Sequence, residues 1–232
     1  MCDHASYDPG RRSFLRASLS SAIVTAAAPL ALEFASPQHL RAQSALTPDA
    51  AFQELINGNA RFAANQLTSI QSDLDVLKQR NVDKQEPFAA VLSCADSRVP
   101  IELIFDQTIG HIFVTRVAGN IATSEIIGSL EYGVAVLGVE CLVVLGHSGC
   151  GAIKATMKAD EVPGQISSLY PYLRRAVEQS AGDLDAAILA NAKIQADILS
   201  TSSPVIKAAI KAGKLKVDSG VYNLATGKVS FS

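Results

Sequence analysis

Short, nearly unbroken apolar runs alternate along this chain with stretches whose apolar residues recur every three or four positions. Phe88-Ala-Ala-Val-Leu-Ser93, Ile112-Phe-Val-Thr-Arg-Val117 and Cys141-Leu-Val-Val-Leu145 have the length and β-branched content of buried strands. Helical spacing precedes the first of them. Thr47-Pro48-Asp49 combines a capping hydroxyl, a proline at the first helical position and an acid, and Phe52, Leu55, Ile56, Asn59 and Phe62 or Ala63 follow at helical intervals. A polar helical stretch around Gln71–Arg80 is broken by Pro87. Pro100 opens a short helix through Phe105, and a longer one is predicted from about Ser124 to Leu137.

The last third has a weaker pattern. Residues Asp183–Leu199 read as a helix with Leu184, Ile188, Ile194 and Ile198 roughly on one side. Lys214–Asn223 and Lys228–Phe231 read as two strands around the turn Ala225-Thr-Gly-Lys228. Strands that alternate with helices predict an α/β fold, a mostly parallel central sheet flanked by helices. In such a sheet the first and third strands end at the same edge. Two polar, glycine-bearing segments sit just after those strands, at the carboxyl edge where open α/β sheets place their sites.

The chain has 232 residues, enough for one sizeable domain, here assigned to 46–232. Its net charge is −2 and no Lys/Arg block tracks a phosphate backbone; tryptophan is absent and aromatics are 6%, so nucleic acid is not an expected partner.

Residues 1–45 read as an export signal. Arg11 and Arg12 are followed by Phe14, Leu15 and Arg16, and then by an Ala-rich apolar stretch from about Ala17 to Leu32. The paired arginines resemble a twin-arginine signal, which predicts delivery to the bacterial periplasm. The apolar stretch is shorter than the roughly 20 residues of a spanning helix and contains Pro29, so no permanent membrane span is expected in the mature form. Small residues near Ala42–Ala45 fit a cleavage site. Cys2, His4 and His39 fall within this segment and receive no role.

The candidate chemistry lies in Cys94-Ala-Asp-Ser-Arg98 and Gly146-His-Ser-Gly-Cys-Gly-Ala152. Cys94, Asp96, His147 and Cys150 form a natural zinc set, because two thiolates and an imidazole favour zinc over magnesium or calcium. Copper or iron is chemically compatible. The glycines at 146, 149 and 151 permit close backbone approach, and a helix start at Cys150 favours its thiolate. A structural zinc site is the competing reading, but such a site has no use for an Asp96–Arg98 pair; a pair of ordinary core cysteines is the blandest one. Cys141, at a strand start, reads as a small buried hydrophobe. His111 reads as a surface histidine.

CADSRVP at Cys94 and GHSGCGA at Gly146 resemble the two signature motifs of the β-class carbonic anhydrases. The resemblance extends through RVAGN at Arg116, SLEYGV at Ser129 and the final GVYNLATGKVSF. It implies zinc-dependent reversible hydration of carbon dioxide to bicarbonate and a proton, with one Zn2+ per subunit and a zinc hydroxide nucleophile oriented by an Asp–Arg dyad. Cys94, His147 and Cys150 then match the constant metal ligands. Asp96 matches a residue that either takes the fourth metal position or pairs with Arg98. Gln85, Phe113, Tyr132 and Gly151 match substrate-pocket positions, part of which a neighbouring subunit supplies, and a homodimer or higher assembly of dimers is implied.

Three positions depart from the family pattern: Ala95 replaces a serine, Val117 an asparagine, and Val91 the tryptophan of the allosterically regulated subgroup. Two other functions compete, a related hydrolase on the same scaffold, such as one acting on carbon disulfide, and a non-catalytic zinc-binding protein.

Overall fold

A computed structural model describes residues 45–69 and 82–232. The predicted export signal and the stretch Gln71–Arg80 lie outside the described residues.

The first helix, α1 (Pro48–Ala63), begins as its sequence dictates. The Thr47 side chain accepts a hydrogen bond from Ala50 N–H, and proline occupies the first turn. Strand β1 (Ala89–Ser93) leads into the short helix α2 (Ile101–Ile104), and β2 (Ile112–Arg116) into α3 (Ser124–Ala135). Strand β3 (Cys141–His147) runs two residues past its apolar stretch, so Gly146 and His147 belong to the strand and not to the turn after it. Helix α4 (Gly151–Lys158) follows at once.

A 3-10 turn (Ile166–Leu169) and α5 (Tyr170–Gln179) come next, then α6 (Leu184–Ser202), capped by Asp183. Helix α7 (Pro204–Lys211) starts on Ser203, whose side chain accepts from Ile206 N–H. Strands β4 (Lys216–Tyr222) and β5 (Val229–Phe231) close the chain.

The sheet order is β2-β1-β3-β4-β5. The first four strands pair in parallel, and β5 returns antiparallel to β4. The expected mostly parallel sheet is therefore present, with the two C-terminal strands forming a hairpin at one edge.

Side chains of β1 and β3 divide strictly by parity, as the pleat requires. Ala89, Val91, Cys141, Val143 and Leu145 pack with Phe52 and Leu55 of α1 and with Ile101, Ile104 and Phe105. Ala90, Leu92, Leu142 and Val144 pack on the opposite face with Leu130 of α3, Ala192 and Leu199 of α6 and Ile206 of α7. Both faces are thus covered by helices, which explains why the central strands read as continuous apolar runs.

Helix α6 departs from its expected buried stripe. Ile188 is buried, but Leu184, Ile194 and Ile198 are only partly so, and the fully buried positions include Asn191 and Gln195. These two amides are hydrogen-bonded to the backbone of the loop after β2, which makes their burial tolerable.

Candidate metal centre

Because β1 and β3 are neighbours with Ser93 level with Leu145, their carboxyl ends deliver Cys94 and His147 to the same place. Cys150 is the residue that caps α4, immediately after the Ser148-Gly149 turn. Gly149 sits at φ +69°, a left-handed conformation that lets the chain reverse there without strain. The turn is tied down by two bonds to the β4–β5 end: Ser148 N–H donates to Tyr222 O, and Leu224 N–H donates to Ser148 Oγ.

The Sγ atoms of Cys94 and Cys150 and a ring nitrogen of His147 lie within 4.8 Å of one another, and all three residues are buried. His147 Nδ1 lies 3.1 Å from Ser148 O, which makes Nδ1 the protonated nitrogen and leaves Nε2 as an acceptor. Nε2 is buried with no hydrogen-bond partner. A buried, unpartnered imidazole acceptor beside two sulfurs is costly unless a cation meets it. The donor set, two thiolates and one neutral imidazole, fits zinc, and the carbonyl at Nδ1 orients the ring as histidine ligands require.

The two sulfurs influence each other's ionisation. A hydrogen bond from the Cys150 thiol, together with the Gly119 N–H, draws the Cys94 thiol down against the cost of burial. The Cys94 thiolate and burial push Cys150 up, although the N–H groups of Ala152 and Ile153 at the start of α4 oppose this.

Asp96 stands at the rim. Its Oδ2 is 3.8 Å from His147 Nε2, beyond hydrogen-bond reach. Its carboxylate instead accepts from Arg98 Nε at 2.9 Å, from Arg98 Nη2 at 2.7 Å and from the Arg98 backbone N–H at 3.0 Å. These bonds hold Asp96 well below the usual carboxylate range. Of the two placements open to Asp96, the structure has the one on Arg98.

Arg116, to which the sequence reading gave no role, clamps this loop from β2. Its Nε donates to Cys94 O at 2.9 Å and its Nη2 to Asp96 O. The departures leave these contacts intact: Ala95 is exposed between the two clamped carbonyls, and Val117 is partly buried against the apolar cluster that includes Cys94.

The pocket residues divide into two groups. Gly151 opens α4 beside Cys150 and faces open space, since a Cβ there would meet no atom within 4 Å. Phe113 is level with Ala90, four residues before Cys94, or about 13 Å at the rise of a strand. Tyr132 of α3 is 47% exposed, and its ring centroid is 6.3 Å from that of Phe113. Gln85 is exposed and precedes β1 at its amino end. Within one chain these three therefore stand apart from the cysteine–histidine cluster.

The sequence model of the carbonic anhydrase family matches residues 89–229. A carbonic anhydrase of Mycolicibacterium smegmatis is 35% identical over 193 residues, covering 78% of this chain and 92% of its own length. The solved β-carbonic anhydrase CcaA superposes with a TM-score of 0.62 at 26% identity, covering 78% of this chain and 94% of that one. A tetrameric β-carbonic anhydrase of Sordaria macrospora shares the fold at a TM-score of 0.61 and 23% identity, covering 78% and 95%. With both signature segments inside the matched region and their ligands brought together, the chain belongs to the β-class carbonic anhydrase family.

Proposed function

We propose that this chain interconverts carbon dioxide and bicarbonate at a zinc ion held by Cys94, His147 and Cys150, with the Asp96–Arg98 pair acting on the substrate side. The observation that carries this reading is the buried, unpartnered His147 Nε2 facing two cysteine sulfurs beside an arginine-held carboxylate.

Zinc, when bound, lowers the pKa of a coordinated water to about 7 and supplies a hydroxide nucleophile near neutrality. The remaining work falls to the chain. Asp96 is ionised and so only accepts hydrogen bonds. It takes the O–H of the reacting water and turns that oxygen's lone pair toward carbon dioxide. Arg98 fixes the carboxylate by charge-assisted bonds and holds it off the metal position. The Gly151 position leaves open space for the substrate. Water and carbon dioxide become bicarbonate and a proton, and the proton leaves through solvent or buffer.

A homo-oligomer accompanies this reading. Gln85, Phe113 and Tyr132 match pocket positions yet lie away from the metal cluster of their own chain, which favours their serving a second copy. The tetrameric relative supports the same view. Export by the twin-arginine route is proposed from the order of charged and apolar regions in residues 1–45. Among the described residues no helix is long and apolar enough to cross a membrane.

The test is stopped-flow hydration of carbon dioxide by the zinc-loaded chain, near neutrality and under alkaline conditions. Fast turnover that is lost in Asp96→Asn establishes the reaction. Stoichiometric zinc without turnover at either pH refutes it in favour of a non-catalytic zinc protein.

A further inference from the structure

We propose that Asn191 and Gln195 of α6 are positioning residues for Cys94, acting through the backbone of Gly119; this rests on the reading of Cys94 as a metal ligand. Gly119 N–H donates to Cys94 Sγ at 3.3 Å. On its other side, Gly119 O accepts from Asn191 Nδ2 at 2.9 Å. Three residues on, Ala122 N–H donates to Gln195 Oε1 at 2.9 Å. The two amides are joined by Gln195 Nε2 donating to Asn191 Oδ1 at 3.1 Å, and Gln195 Nε2 also donates to Tyr172 O at 3.2 Å.

The orientation of both amides follows from their partners. A carbonyl at Gly119 demands a donor and an N–H at Ala122 demands an acceptor. Once these are set, the remaining oxygen of Asn191 and nitrogen of Gln195 face each other as acceptor and donor. Asn191 and Gln195 are 0% exposed, one helical turn apart on the same face of α6. Buried amides at such a place are tolerated only when bonded, and here they grip both ends of one loop.

Within that loop Gly119 belongs to a turn closed by Asn120 N–H donating to Val117 O at 2.9 Å, and the two amides fasten this turn to α6. Gly119 is at φ +79°, and a Cβ there would lie 3.1 Å from the Leu173 methyls and 3.3 Å from Ala152 Cβ. Only glycine allows this approach without strain. The two sulfurs are supported differently. Cys150 caps α4 with no side-chain hydrogen bond to that helix, and the N–H groups of Ala152 and Ile153 in its first turn favour its thiolate. Cys94, at a strand end, has its own loop at Asp96 and the distant Gly119. A peptide N–H held on a thiolate withdraws electron density from sulfur and tunes the metal it binds, as outer partners of metal ligands do.

The test uses the full chain with cobalt in place of zinc, in wild type, Asn191→Leu and Asn191→Leu/Gln195→Leu. Loss of the grip is expected to move the thiolate-to-cobalt charge-transfer band to longer wavelength and to weaken metal binding about 10-fold or more in chelator competition. Variants that only melt earlier, with wild-type band and affinity, overturn the proposal. Absence of any thiolate-to-cobalt band in the wild type removes Cys94 as a ligand and the underlying reading with it. Should the leucine variants not fold, Gln195→Met of similar length is compared with wild type by cadmium-113 substitution and amide NMR. A cadmium coupling to the Gly119 amide proton that shrinks in Gln195→Met supports the proposal; one that is absent in the wild type or unchanged in the variant overturns it.

Discussion

Asp96 and Arg98, two residues apart, meet in a two-pronged pair, Nε to Oδ1 at 2.9 Å and Nη2 to Oδ2 at 2.7 Å. The Arg98 side chain is 60% exposed, and solvent screening leaves an exposed ion pair little net effect on stability. The pair is therefore a directional device more than a stabilising one. Arg98→Ala is expected to leave the melting temperature nearly unchanged while carbon dioxide hydration falls about 100-fold, the usual cost of a misplaced reacting group. In the cobalt-substituted protein the visible spectrum of this variant should change as the freed Asp96 turns to the metal.

Asp96→Asn keeps the shape of the side chain but adds N–H donors and removes the charge. Zinc content should stay stoichiometric and turnover should fall by roughly 100-fold or more. Unchanged turnover in stopped flow would reject the role given to Asp96.

Two buried cysteines at opposite ends of β3 should behave oppositely. Cys150→Ser should lose stoichiometric zinc and activity, read by elemental analysis of the purified protein. Cys141→Ser should keep both. Cys141 begins β3, six residues before His147, and burial pushes its thiol up to about 12, so it remains a neutral apolar group.

Gly58 inverts a general rule. Replacing a helix-interior glycine by alanine ordinarily stabilises by about 1 kcal/mol. Here the added Cβ would lie 1.8 Å from Phe105 O, because α1 touches the end of α2 through this residue. Overpacking of this kind costs about 1–3 kcal/mol, so Gly58→Ala should lower the midpoint of thermal unfolding.

Asp106 sits at φ +45° with its side chain buried. It accepts from Arg61, from Thr68 N–H and Oγ1 and from Ser69 N–H. Burial opposes its ionisation, but these donors prevail and hold it below the usual carboxylate range. A depressed folded-state pKa means that the stabilisation is complete above the unfolded value of about 3.9 and fades as pH falls through the folded value. Asp106→Asn should destabilise by about 3 kcal/mol in urea titrations at neutral pH. The gap from wild type should narrow in strong acid.

The metal ligands were legible because Cys94, His147 and Cys150 interrupt apolar or glycine-rich runs with chemistry those runs do not need. The central strands were legible for the matching reason, since a sheet covered on both faces demands unbroken apolar sequence. Helices α5 and α7 gave no such signal. Buried positions in α5 are Leu173 and Ala176, and in α7 Ile206, too few to set a period. In α6 hydropathy favours Ile194 and Ile198, which are only partly buried, whereas Asn191 and Gln195 are fully buried. Their burial depends on a backbone loop more than seventy residues earlier, a partner that local sequence does not reveal. Arg116 was overlooked for a similar reason: its targets are main-chain carbonyls, which every sequence offers equally.

Cys94 and His147 are more than fifty residues apart in the chain, on adjacent parallel strands whose ends they occupy. An ion bound there ties together strands that no short turn could join, and it closes a long loop in the manner of a removable cross-link. Cys150 follows His147 by only three residues, so the ion would fasten a local pair on the β3 side to one residue just beyond β1.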